Sequence, residues 1–162
     1  MSANKNSKII GSAEVITFPE ISHKSTHARI DTGARTSAIW GDAKISRDGA
    51  LVVTFFGKDH KAFTGKAYTF SEYTTMAVAS SNGHIQQRYA VKILVRLGGK
   101  KIRATFTIAD RSTQVYAVLI GRNVLRGKFI VDVKQGNILS KEERHRIAVL
   151  QEMIDKDKGA SI

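Results

Sequence analysis

Asp31, Thr32 and Gly33 are the residues of this chain best suited to chemistry. They lie in the run His27-Ala28-Arg29-Ile30-Asp31-Thr32-Gly33-Ala34-Arg35-Thr36-Ser37-Ala38-Ile39. A carboxylate follows an apolar strand end directly, and small residues follow the carboxylate. An ionised carboxylate placed this way can take a proton from water, and a second, protonated one can donate to a carbonyl oxygen. Two carboxylates at close quarters share one proton because both cannot ionise cheaply, and their apparent pKa values belong to the pair. The chemistry this permits is hydrolysis of an amide. The Thr32 hydroxyl can lock the loop by hydrogen bonding, and Gly33 allows close backbone approach. Taken alone, the triplet is more often an ordinary turn after a strand. It occurs once in the chain, so its surroundings decide.

Those surroundings read mostly as strands. Leu51 to Phe56 is a compact apolar run before a turn at Gly57-Lys58-Asp59, and His60 to Phe70 continues with loose alternation. Met76 to Ala79 is a short strand, and Asn82-Gly83 is a strong hairpin turn. In Arg88 to Leu97, Tyr89, Val91, Ile93 and Val95 share a face. After Gly98-Gly99, Ile102, Ala104, Phe106 and Ile108 do the same. Val115 to Ile120 and Phe129 to Val133 add two more strands. Short strands with frequent turns predict a closed or folded-over β structure. The C-terminus differs. Ser140 and Glu143 fit a capping box, and Ile147, Leu150, Met153 and Ile154 recur at helical spacing. This predicts an amphipathic helix over 140–155, packed on the sheet in preference to a partner. Residues 1–8 read as a disordered arm, 9–139 as the β domain and 156–162 as a frayed tail.

Composition bounds the rest. The 162 residues suit one domain with a real core, 42% of them being hydrophobic. Cysteine is absent, so disulfides and thiolate metal sites are excluded. No stretch approaches the roughly 20 apolar residues of a membrane helix, and the polar start lacks an apolar leader core. A cytoplasmic protein is the expectation, with no membrane partner. Lys and Arg number 26 against 14 Asp and Glu, a net charge of +12 that attracts polyanions.

A second motif lies far downstream, in Leu119-Ile120-Gly121-Arg122-Asn123-Val124-Leu125-Arg126-Gly127-Lys128-Phe129-Ile130-Val131-Asp132. With Ala-Arg-Ile-Asp-Thr-Gly-Ala-Arg-Thr-Ser-Ala before it, the chain resembles the retropepsins, the homodimeric aspartic peptidases of retroviruses. More specifically it resembles a bacterial and archaeal retropepsin-like branch long labelled "ATP-dependent zinc protease". The resemblance runs from about Ile9 to about Gln135. It implies an acid-protease fold, a closed β-barrel with one lobe per chain. It also implies that Asp31 is the catalytic carboxylate, with Thr32, Gly33 and Ala34 in its loop. Gly121 would cross behind that loop and Arg122 would tie the short helix to it. A single Asp-Thr-Gly then requires a homodimer, with Asp31 beside Asp31 of a second copy.

One departure from the viral pattern is telling. Viral enzymes usually carry an Asp two residues after the Gly, paired with the Arg of the second motif. Here that position is Arg35, so Arg122 needs another acid, for which Asp132 is the guess, or backbone carbonyls. In the viral enzymes the position also borders the substrate groove. Arg35 would favour acidic side chains there, making the expected substrate an acidic, Glu-rich peptide or a glutamate-tailed protein. The family's association with ATP-grasp glutamate ligases suggests such a ligase as partner. Asn82 and Gly83 suit the tip of a flap over substrate, in competition with the Phe63-Thr64-Gly65-Lys66 region.

No cofactor is expected. The five histidines form no His-Glu-x-x-His, and no Gly-x-x-x-x-Gly-Lys loop is present, so neither a zinc site nor a Walker-type ATP site is expected. The alternative function is a non-catalytic basic β-barrel module that binds nucleic acid or another polyanion. Its support is charge alone, and no basic motif interleaved with aromatics accompanies it.

Overall fold

Strand β8 (Ile85–Leu97) and strand β9 (Lys100–Ala109) form the longest hairpin, and the two alternations read from the sequence become its inner face. Val91, Ile93, Val95 and Leu97 of β8 are buried, as are Ile102, Ala104, Phe106 and Ile108 of β9. The computed structural model describes residues 6–79 and 82–160. Earlier in the chain come β1 (Lys8–Ile10), β2 (Ala13–Ile16), β3 (Thr26–Ile30), β4 (Ser37–Ile45), β5 (Leu51–Phe55), β6 (Ala67–Phe70) and β7 (Thr74–Ala79). After β9 follow β10 (Val118–Ile120), a one-turn helix α1 (Arg122–Leu125), β11 (Phe129–Val131) and helix α2 (Ser140–Ala160).

The main sheet runs β2-β3-β10-β4-β9-β8-β7. β4 is long enough to serve two neighbourhoods. Its first half pairs with β10 and β9, while Gly41 to Ile45 pairs with β5, which carries β6. β1 and β11 form a separate parallel pair. Phe106 is fully buried and meets Phe18 edge-on at 5.4 Å between centroids, giving the core an aromatic centre.

The expected closed barrel is not found among the described residues. β2 approaches β8 through one isolated bridge, Thr17 to Arg96, and β7 is left as a sheet edge. Pro19, which has no N–H to continue a ladder, stands two residues past that bridge. The C-terminal helix forms, but the expectation that it packs into the core is overturned. No α2 residue is buried, and Ile147, Leu150, Met153 and Ile154 are 66, 42, 57 and 49% exposed. The capping box is also differently used. The Leu139 carbonyl accepts the Glu143 N–H, and the Glu143 carboxylate accepts the Tyr116 hydroxyl at 2.6 Å. That contact, with Leu139 N–H donating to the same hydroxyl at 3.0 Å, ties the first turn of α2 to the β domain. Of the stretch read as an arm, residues 1–5 lie outside the described residues and β1 begins at Lys8. α2 continues through 156–160, and 161–162 are again outside. No helix among the described residues is long and apolar enough to cross a membrane.

Candidate active site

β3 carries Ile30 to its last position, and the chain then turns through Asp31-Thr32-Gly33 before re-entering the sheet as β4. β10 lies between these two arms. It runs parallel to β3, with Ile120 opposite Ile30, and antiparallel to β4, with Leu119 opposite Ala38. The loop is thus anchored from behind by the second motif. Asp31 N–H donates to the Ile120 carbonyl at 2.9 Å, and Arg122 N–H donates to the Ala34 carbonyl at 2.8 Å. Gly121 passes so close that a Cβ there would lie 2.7 Å from the Thr36 carbonyl carbon and 2.9 Å from the Ala34 oxygen. Only glycine fits.

Side chains complete the clamp. The buried Ser37 hydroxyl accepts Gly121 N–H at 2.9 Å and donates to Asn123 Oδ1 at 2.8 Å. Asn123 Nδ2 in turn donates to the Thr105 carbonyl on β9. The Arg122 guanidinium donates to the carbonyls of Thr32 (3.2 Å) and Gly33 (2.9 Å). Backbone carbonyls, and not Asp132, therefore satisfy Arg122. Asp132 instead accepts from Lys134 N–H and Gln135 Nε2. Thr32 is held through this carbonyl, where a lock through its hydroxyl was expected. Asp31 is partly buried, and its Oδ1 accepts Gly33 N–H at 2.9 Å. That bond orients the carboxylate and leaves its second oxygen for water or a second carboxyl group.

Asp31 opens into a cleft of 680 Å³, a size suited to a ligand or peptide side chains. Gly33, Ala34 and Arg35 line it on the loop side, and Met76 to Ala79 of β7 on the other. Asp31 is the one carboxylate lining it among the described residues. Arg35 is exposed within it. The β7–β8 hairpin borders this cleft through β7. Its tip holds Asn82 and Gly83, the latter at φ +83°, and neither is part of the lining. Ser80 and Ser81, which precede them, lie outside the described residues. The competing 63–66 region faces a different cavity, with Pro19 to Lys24.

Sequence reasoning missed Ser37, Asn123, Arg88 and Arg111. Ser37 and Asn123 sat inside the quoted motifs with no local signal of their mutual contact, 86 residues apart. Arg88 and Arg111 also line the cleft, and in sequence they are two of many basic residues. Arg111 is partly buried, and its Nε donates to the Tyr116 carbonyl at 3.0 Å. Burial above all, then the charges of Arg88 and Arg29, pushes its guanidinium down to about 10. Burial also lowers Arg88. Among the described residues, no three His, Asp or Glu side chains group closely enough to hold a metal ion.

The Asp-Thr-Gly loop, present in one copy, is gripped from behind by the Gly121-Arg122-Asn123 turn. The chain belongs to the retropepsin-like aspartic endopeptidases: residues 9–142 match the family model described as RimB-like, "Retropepsin-like aspartic endopeptidase RimB". Two curated relatives, from Shewanella halifaxensis and Shewanella pealeana, are each 29% identical over 143 residues and named "Probable alpha-L-glutamate ligase". The match covers 85% of this chain but 31% of each relative, so the chain spans about a third of their length. A crystal structure of a Legionella pneumophila protein of unknown function shares the fold. Its TM-score is 0.61 at 23% identity, covering 82% of this chain and 97% of that one.

Proposed function

We propose that the protein is an aspartic endopeptidase that acts as a homodimer. Asp31 from each of two copies would share one proton, the ionised member drawing a proton from water and the protonated one donating to the scissile carbonyl. The observation that carries this reading is the anchoring of the Asp31 carboxylate. Gly33 N–H holds one carboxylate oxygen, Asp31 N–H donates to the Ile120 carbonyl of β10 and Arg122 donates to the Gly33 carbonyl, so the carboxylate is set in an open cleft with no second carboxylate of its own chain among the described residues. A second copy supplies the missing group under two-fold symmetry. The uncovered apolar side chains of α2 offer surface for such an association.

The substrate in this reading is an acidic, Glu-rich peptide or a glutamate-tailed protein. Support comes from Arg35 at the cleft and the net charge of +12. The glutamate ligase name of relatives that contain a region like this chain points the same way. It also supports a glutamate ligase as the partner in whose product the substrate arises. The setting is the cytoplasm, where such a ligase would work. A non-catalytic polyanion-binding module draws on charge alone.

Asp31→Asn tests the proposal. Cleavage of a Glu-rich peptide panel should vanish while binding of heparin or RNA stays unchanged. Cleavage that survives the substitution sinks the peptidase reading. Arg35→Asp tests the preference, which should shift from acidic toward neutral peptides, and an unchanged preference overturns the role of Arg35.

A further inference from the structure

Two arginines that line the Asp31 cleft take no part in the proposed reaction. Arg88 stands on β8, in register with Met76 of β7, and Arg111 follows the end of β9. Both are partly buried and both line the cleft. Each guanidinium is tethered by its Nε, Arg88 to Gln86 Oε1 at 3.0 Å and Arg111 to the Tyr116 carbonyl at 3.0 Å. Their terminal nitrogens have no protein partner among the described residues. Buried side-chain polar atoms there all have partners, so these nitrogens reach solvent.

That geometry is the one a carboxylate uses. A guanidinium held at Nε presents its two terminal nitrogens as a fork, and a carboxylate accepts both hydrogen bonds in plane. Placing two such forks together is electrostatically costly unless an anion joins them. Asp31, the one carboxylate lining the cleft, forms no ion pair with either arginine among the described residues, and the other nearby acids are committed elsewhere. Asp110 accepts Ser112 N–H, Glu143 accepts the Tyr116 hydroxyl, and the one ion pair among the described residues is Arg103 with Glu20. Tyr116 links the set to α2: its hydroxyl bonds Glu143 and its carbonyl holds Arg111.

We propose that Arg88 and Arg111 form a carboxylate-binding subsite of the Asp31 cleft, distinct from Arg35 and taking either an acidic side chain or a chain-terminal carboxylate of the substrate. Its position relative to a scissile bond rests on the peptidase reading; its affinity for a carboxylate does not.

The test is binding of fluorescein-labelled penta-glutamate, penta-glutamate amide and penta-glutamine to the full chain carrying Asp31→Asn. Adding Arg88→Gln or Arg111→Gln should weaken penta-glutamate by about tenfold or more, with little change for penta-glutamine. Lys158→Gln, the same loss of charge near the end of α2, should stay within about twofold. Arg111→Lys, which keeps charge but loses the fork, should fall between. If Arg111→Gln fails to fold because Tyr116 loses its partner, Arg88→Gln carries the test alone. Loss of affinity on amidation assigns the terminal carboxylate and retention assigns the side chain, and both support the subsite. Losses no greater than that of Lys158→Gln, or equal losses for penta-glutamine, overturn it. Failure of the wild-type chain to cleave these peptides bears on the peptidase reading and leaves this result standing.

Discussion

Replacing Gly121 by alanine adds one methyl group where three backbone atoms already stand. The new Cβ would meet the carbonyl of Thr36, 2.7 Å from its carbon, and lie 2.9 Å from the Ala34 oxygen. Neither neighbour can rotate away, because both belong to the backbone that follows Asp31. The strand end must retreat by roughly 1 Å to reach ordinary van der Waals separation. That movement opens two hydrogen bonds, Asp31 N–H to Ile120 and Arg122 N–H to Ala34, each contributing about 1 kcal/mol. Overpacking adds about 1–3 kcal/mol, so the total is about 3–5 kcal/mol. For a chain of this size each kcal/mol lowers the melting temperature by about 2–4 °C. Gly121→Ala should therefore melt about 6–20 °C lower and, through misplacement of Asp31, lose about 100-fold in activity. Gly159→Ala is the matched control. It sits in α2 with nothing within 4 Å of an added Cβ and should stabilise by up to about 1 kcal/mol. Thermal melts and peptide turnover of both variants decide the matter. A Gly121→Ala protein melting within about 2 °C of wild type, with turnover within threefold, refutes the close-approach argument.

Two further outcomes follow from side chains outside the cleft. His60 is stacked on Phe56 at 4.6 Å, its Nδ1 accepts Ala62 N–H and its Nε2 faces the Thr26 hydroxyl, so the ring is held neutral. Burial, then the Lys61 charge, lowers it below its ordinary 6.5. The unfolded chain then binds more protons below that value, so this contribution to stability is complete above pH 6.5 and fades as pH falls toward the lowered value. Urea midpoints between pH 8 and 5 should fall less steeply in His60→Gln, and an unchanged slope contradicts the assignment; His27, also lowered by burial, supplies a residual slope of the same sign. Tyr116→Phe removes the hydroxyl that holds both Glu143 and Leu139 N–H, at about 1–2 kcal/mol. Amide exchange across 139–160 should accelerate while β8 and β9 stay protected, and uniform exchange would contradict the tether.

What the sequence disclosed followed from local rules. The alternation in β8 and β9 survives because each strand buries one face, and period-two patterning is set by that burial alone. The Asp31 loop and the Gly121 turn were legible because each is a contiguous string whose residue types answer local backbone needs. Their mutual grip was not derivable from spacing, since Ser37 and Asn123 meet only through the crossing of β10 between β3 and β4. The same holds for Arg122, whose partners are carbonyls and therefore leave no trace in residue type. Barrel closure failed as an inference because strand count does not fix whether edges meet; a single bridge at Thr17 stands where a ladder was expected. Helical spacing in α2 gave the helix but not its burial. Periodicity shows that an apolar face exists, and only a partner surface determines whether it is covered.

Subunit poisoning tests the shared Asp31 dyad most directly. Wild-type chain is mixed with Asp31→Asn chain at constant total concentration, subunits are allowed to exchange, and turnover of a Glu-rich peptide is measured against the wild-type fraction. If each site needs Asp31 from two copies, activity falls with the square of that fraction, to about a quarter in an equal mixture. A linear fall, to about half, would show that one chain carries the chemistry alone and would contradict the dimeric mechanism.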